Sequence, residues 1–137
     1  MGVFPGFCAL VMTLPLVSVV MPFFNARATL VEAVESILGQ TWHEFELIAV
    51  DDGSTDGSAG LLMDTAGDDA RLRLLQPGRS GIVGAVNHGL MAARGTYIAR
   101  MDADDRMHPQ RLERQVNFLE ANPEVGLVGS RVGLFPG

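Results

Sequence analysis

The sequence contains no lysine: all 10 basic residues are arginine, set against 16 acidic ones for a formal net charge of −6. The arginines are scattered, so the basic stripe a nucleic-acid binder needs is missing. An acidic chain that binds phosphates must neutralise them locally, with a metal ion or a helix N-terminus. Absence of lysine also argues against a phospho-acceptor domain of receiver type, which sets a lysine opposite its acidic cluster. Cysteine is nearly absent as well. The single Cys8 excludes an internal disulfide and fits a reducing compartment; among apolar neighbours it reads as an unreactive thiol. Trp42 and Tyr97 are the sole residues of their kinds, and both read as packing residues.

Charge is missing from the start of the chain, where Arg27 is the first ionised side chain. So long an uncharged run raises the question of a membrane span. Pro5, Pro15 and Pro22 interrupt it, and no basic residue precedes it as a signal peptide requires. Residues 1–14 are expected to form a disordered or apolar leader, with Met12 equally able to serve as initiator. A cytoplasmic location follows, with peripheral association at the inner face of the membrane left open. The remainder has the length of one domain, and 47% hydrophobic content suffices for a core.

Strand and helix patterns then alternate. Val17-Ser18-Val19-Val20-Met21 is apolar and β-branched, as a strand covered on both faces should be. Leu30, Val34, Ile37 and Leu38 fall at helical spacing, and Gly39 closes that helix. Phe45 to Val50 is a second strand, ended by Asp51-Asp52-Gly53-Ser54, where Ser54, Thr55 and Asp56 are N-cap candidates for a helix over 57–66. Arg71 to Leu75 reads as a third strand, 82–93 as a helix, and Tyr97 to Met101 as a fourth strand. Pro109 opens a helix running to Ala121, and Val125 to Val128 reads as a fifth strand. About five strands joined by helices imply an α/β fold, a mainly parallel, doubly wound sheet with helices on both faces. Ligands bind such sheets beyond the C-terminal strand ends, where the strand order reverses.

The chemically loaded residues fall at those ends. Asp102, Asp104 and Asp105 follow a strand directly and repel one another unless a cation separates them. Alternate positions of an extended chain project to one side, so Asp102 and Asp104 could face one point. Such hard oxygen ligands suit Mg²⁺ or Mn²⁺ shared with substrate phosphates. The alternative is a solvated acidic turn ahead of Pro109. Asp52 or Asp51 could accept hydrogen bonds from a base imide or a ribose hydroxyl, or both could serve as turn and helix cap. Phe23 and Phe24 offer a flat wall for a base or belong to the core. Asn25 is expected to cap the first helix ahead of touching ligand. Arg79, in a glycine-flanked loop, could pair with phosphate or stand in solvent. His88 and His108 lack partners at metal spacing. The strand-one turn, Pro22-Phe23-Phe24-Asn25, lacks the Gly-x-Gly-x-x-Gly that a dinucleotide-binding oxidoreductase requires.

In order along the chain stand Val17 to Asn25, Ser36-Ile37-Leu38-Gly39-Gln40-Thr41, Phe45 to Asp56, Asn87-His88-Gly89-Leu90 and Gly95 to Asp105. Together these motifs resemble the family 2 glycosyltransferases of GT-A, Rossmann-like fold, over residues 15–130. The resemblance implies a nucleotide-diphosphate sugar donor, most often a UDP-sugar, and inverting transfer to a glycan or lipid-linked acceptor. It implies that Asp52 binds the base or ribose and that Phe24 lies near the base; with Pro22, Asn25, Arg79 and Asp102 at the strand ends and loop, these are the expected substrate-binding residues. Asp102 and Asp104 become the Asp-x-Asp metal pair, with Asp104 the direct ligand and Asp105 in support. One departure is Val86, where the family often places an arginine. Another is the general base, which in the family follows the fifth strand and is expected beyond Gly137. Residues 15–137 are thus expected to be the donor-binding half of the domain, with the acceptor-binding part missing. The alternative is a non-catalytic nucleotide-binding module derived from a transferase. Polysaccharide biosynthesis follows only by association with the family.

Overall fold

The computed structural model describes residues 14–134. The expected leader lies outside them except for Leu14, as does Cys8. Four strands form: β1 (Val17–Phe23), β2 (Phe45–Asp51), β3 (Leu72–Leu75) and β4 (Tyr97–Arg100). Four helices alternate with and follow them: α1 (Leu30–Leu38), α2 (Ser58–Ala66), α3 (Gly81–Ala92) and α4 (Arg111–Ala121). The sheet runs β3-β2-β1-β4, with every neighbouring pair parallel. The expected α/β, mainly parallel architecture is therefore present, with one element different. Val125 to Val128, expected as a fifth strand, pairs with no other strand among the described residues. An apolar stretch becomes a strand only where another edge accepts its backbone bonds.

β1 and β2 are buried along their whole length, because helices cover both faces. Alternation sends Val17, Val19, Met21 and Phe23 to the same side as Phe45, Leu47 and Ala49. There they pack on Leu30, Val34 and Ile37 of α1, Leu62 of α2, and Leu112 and Val116 of α4. The opposite side, with Ile48 and Val50, packs on Ala85 of α3. α1 has nine residues and no side-chain cap bond, a length that is marginal in isolation. Burying Leu30, Val34 and Ile37 stabilises it by about 1.5–3 kcal/mol each, so packing rather than capping holds α1.

α2 shows what weak packing leaves open. Gly60 lies within it, and a Cβ there would meet nothing within 4 Å. Helical glycine carries a backbone-entropy cost that alanine lacks. Gly60→Ala is expected to stabilise the chain by about 0.5–1 kcal/mol, read as a higher urea midpoint at unchanged slope. An unchanged or lower midpoint would contradict this reading of α2.

Candidate functional site

β1 lies between β2 and β4, and the chain reaches β4 only after building β2 and β3 on the other side. The strand order therefore reverses at β1 and β4, the position where α/β sheets open a ligand crevice. Pro22 helps to open it. Even-numbered residues of β1 turn their backbone groups to β4, as when Leu16 and Val20 accept from the Tyr97 and Met101 N–H groups. The β1–β4 ladder ends at Val20 and Arg100, and Pro22, next on that side, has no N–H with which to continue it. Beyond this fork lies a cleft of about 580 Å³. Its walls include all seven residues expected from the sequence: Pro22, Phe24, Asn25, Asp52, Arg79, Asp102 and Asp104. Asp52 and Asp104 thus share one cleft, although their strands are separated by β1. A second hollow of about 870 Å³ lies beyond Arg100 and Asp102, lined also by Asp105, His108 and Arg111.

The aromatic pair divides between two roles. Phe23 is in the core at 4% exposure, whereas Phe24 is 44% exposed on the cleft. Strand alternation alone separates them. The two aspartates divide as well. Asp51 makes the turn, its Oδ1 accepting from the Ser54 N–H at 2.8 Å and its Oδ2 from the Gln76 amide at 3.2 Å. Asp52 reaches across to the start of α3. Its Oδ1 accepts from the Ser80 N–H at 2.7 Å, the Ser80 hydroxyl at 3.2 Å and the Gly81 N–H at 3.1 Å. Asp52 therefore caps α3 from another strand, supplying the bond that Ser80 does not make for itself. Its Oδ2 pairs with Arg79 Nη1 at 3.2 Å. The Ser80 N–H, opposed by burial and joined by the Ser80 hydroxyl, the Arg79 charge and the Gly81 N–H, holds the Asp52 carboxyl below its ordinary range.

Asn25 does not cap α1, whose N-cap residue is Thr29. Asn25 adopts φ of +47°, tolerable for its short polar side chain. Its Oδ1 accepts from the Thr55 N–H at 2.8 Å while its own N–H donates to Ser54 Oγ at 2.9 Å. These bonds lock the β1 turn to the β2 turn, and the partner lies 30 residues away in sequence. Among the N-cap candidates for α2, Asp56 accepts from the Ser58 N–H at 3.0 Å, one residue ahead of the Gly57 cap position.

At the other end of the cleft, Asp102, Asp104 and Asp105 are exposed, and each offers a carboxylate oxygen within 4.8 Å of the others. Burial, and then the charges of Asp104 and Asp102, raise the Asp105 pKa, with Arg111 opposing. Asp102 pairs with Arg100 at 3.4 Å between two exposed side chains, a geometry that gives little attraction. The cluster is a group of hard oxygen donors, a chemistry that fits a divalent cation. Its turn is held by α1: Thr29 Oγ1 donates to the Ala103 carbonyl at 2.9 Å. Buried Gln40 donates to the His108 carbonyl at 2.8 Å and accepts from the Leu112 N–H at 3.1 Å. The sequence motif contains Gln40, but its role emerges only from these contacts. His88 is exposed on α3, and His108 opens onto the larger hollow.

Sequence reading missed a second polar centre at the opposite end of the sheet. Glu46 is 2% exposed on the α3 face. Its carboxylate accepts from Ser18 Oγ at 2.7 Å, Arg73 Nη1 at 2.8 Å, the Arg94 N–H at 2.8 Å and Arg94 Nη2 at 3.0 Å. Ser18 Oγ in turn accepts from the Gly95 N–H at 2.8 Å. This centre holds the sheet together and does not line the cleft.

A profile described as Glycosyl transferase family 2 matches residues 18–137. EpsE of Bacillus subtilis (strain 168) is 42% identical over 123 residues, covering 88% of this chain and 44% of EpsE. Among solved structures, mannosyltransferase PcManGT from Pyrobaculum calidifontis, in complex with GDP-Man and Mn²⁺, superposes with a TM-score of 0.73 at 31% identity. That match covers 84% of this chain and 35% of PcManGT. S. aureus TarS 1-349 in complex with UDP-GlcNAc gives a TM-score of 0.72 at 26% identity, over 78% of this chain and 32% of TarS. The chain therefore spans less than half the length of these proteins. Sheet order, cleft position and profile agree, and the chain belongs to glycosyl transferase family 2.

Proposed function

We propose that this chain is the donor-binding part of a metal-dependent, inverting glycosyltransferase acting on a nucleotide-diphosphate sugar. One observation carries the reading. A single cleft at the sheet's switch point has an aromatic face and a carboxylate at one end, Phe24 and Asp52, and the Asp102–Asp104 pair at the other. The first end suits a base and ribose; the second suits a cation-bound diphosphate. Complexes of PcManGT with GDP-Man and Mn²⁺ and of TarS with UDP-GlcNAc support this choice of ligand class.

In this scheme Asp104 and Asp102 hold Mn²⁺ or Mg²⁺, and Asp105 supports them. The ion would neutralise the diphosphate and the charge growing on it as it leaves. The chain's own residues orient the donor. Asp52 accepts from base or ribose, Phe24 covers the base, and the Asn25–Thr55 lock fixes the turn between them. An acceptor hydroxyl, on a glycan or lipid-linked carrier, displaces the nucleotide diphosphate with inversion. An inverting transfer needs a base beside that hydroxyl, a role given to none of the cleft residues above. Among the described residues no helix is long and apolar enough to cross a membrane.

Calorimetric titration tests the reading. UDP or GDP is expected to bind at least about tenfold tighter with Mn²⁺ than with EDTA, a difference of about 1.4 kcal/mol. Asp104→Ala should remove most of that difference while leaving the residual affinity in EDTA unchanged. Equal affinity in both buffers would end the metal-dependent reading, and no nucleotide binding at all would end the donor reading.

A further inference from the structure

The end of the cleft assigned to the donor base is already filled by a side chain of the protein. Arg79 lays its guanidinium carbon 3.6 Å from the centroid of the Phe24 ring. Its Nη1 stands 3.2 Å from Asp52 Oδ2 and 3.4 Å from the Asp52 carbonyl oxygen. With Oδ1 taken by Ser80 and Gly81, both carboxylate oxygens are engaged. The Asp52 side chain is only 5% exposed, although it belongs to the cleft wall, whereas that of Arg79 is 58% exposed. A guanidinium is flat, stacks on aromatic faces and presents N–H donors along its edge. Those are the properties by which a nucleobase would use Phe24 and Asp52.

The geometry points to Arg79 as a built-in occupant of the base subsite, displaced by the incoming base and turned toward the donor diphosphate. This rests on the donor reading above and adds a moving part to it. Its backbone stays in place. The Ser80 and Gly81 amides are tied to Asp52, and a Cβ at Gly53, itself at φ +85°, would lie 3.4–3.6 Å from Arg79 Cβ, N and Cα. Only the exposed side chain is free to turn, a change of rotamer and not of fold. The contacts it leaves are of the weak kind, a stacked cation and an ion pair open to solvent on the arginine side. The contact it gains, a charge-assisted pair with phosphate, is stronger. Asp52 meanwhile exchanges one N–H donor for another. A base without its diphosphate therefore has to evict Arg79 with no compensation, whereas the whole nucleotide gives the displaced cation a partner.

Opposite signs for nucleoside and nucleotide test this. Uridine and UDP, and in parallel guanosine and GDP, are titrated by NMR into wild type, Arg79→Ala and Arg79→Gln, all with diamagnetic Mg²⁺. In Arg79→Ala the nucleoside is expected to bind about threefold tighter, because the competing occupant is gone. The nucleoside diphosphate should bind at least about threefold more weakly, because its cationic partner is gone. Arg79→Gln, which keeps a planar donor but no charge, should weaken the diphosphate without tightening the nucleoside as much. If wild type binds the diphosphate and Arg79→Ala leaves nucleoside affinity equal or lower, Arg79 is a fixed wall of the site. The inference is then overturned and the donor reading stands. If wild type binds neither nucleoside nor diphosphate, the donor reading fails and takes this inference with it.

Discussion

Glu46→Gln is expected to destabilise the chain by about 3 kcal/mol at pH 7, by leaving two arginines around a buried site with no countercharge. Arg73 and Arg94 have side chains 31% and 46% exposed, against 3% for Glu46. Solvent relieves the arginines in part, so the cost sits at the low end for a broken buried pair. Burial alone would raise the carboxyl pKa. Bonds from Ser18, Arg73 and Arg94 outweigh it and bring the value down from 4.5 to about 2. A pKa lower in the folded state means stability that is complete above the unfolded value and is lost as pH falls toward the folded one. The window is therefore about pH 4.5 down to pH 2, across which this group accounts for about 3 kcal/mol. Urea midpoints at pH 7, 4 and 2.5 would show the gap between wild type and Glu46→Gln narrowing with acid. A gap that stays constant across that range, or one below about 1 kcal/mol at pH 7, would contradict the assignment.

Much of the fold was legible because two signals agreed at each element: a run of apolar residues and the turn chemistry that stops it. β2 is an example. Phe45 to Val50 is apolar at nearly every position, and Asp51-Asp52-Gly53-Ser54 is turn chemistry that ends it. Val125 to Val128 had the first signal alone, and among the described residues no neighbouring strand completes its ladder. The site was legible because α/β sheets gather strand ends onto one rim, so residues far apart in sequence could be placed together by topology. Finer roles were hidden wherever a side chain's partner is distant. Nothing near Asn25 marks Thr55 as its donor. Nothing near Glu46 marks Arg73 and Arg94, which lie 27 and 48 residues away. By contrast, the split between Phe23 and Phe24 was open to inspection, since Val17, Val19 and Met21 already fix which parity faces the core.

Gly89 packs directly on buried side chains of the sheet, and Gly89→Ala is expected to cost about 2–3 kcal/mol. A Cβ there would stand 2.4 Å from Val20 Cγ1 and 3.2 Å from Val50 Cγ2. Both valines lie in fully buried strands, at 1% and 0% exposure, so neither can swing aside. Alanine gains about 1 kcal/mol of helix propensity over glycine, which the overlap exceeds. The same substitution at Gly60 has the opposite expected sign, so residue type alone cannot decide the outcome. The consequence reaches the site, because α3 begins at Ser80 and Gly81, whose amides hold Asp52. Lifting α3 off β1 should loosen that grip, so UDP affinity should fall by several-fold in folded Gly89→Ala. Adding Val20→Ala makes room for the new methyl group. The double variant is expected to be more stable than the sum of the two single losses by about 1 kcal/mol or more, with part of the UDP affinity restored. Strictly additive losses would mean that close packing of α3 on Val20 does not set the position of Asp52.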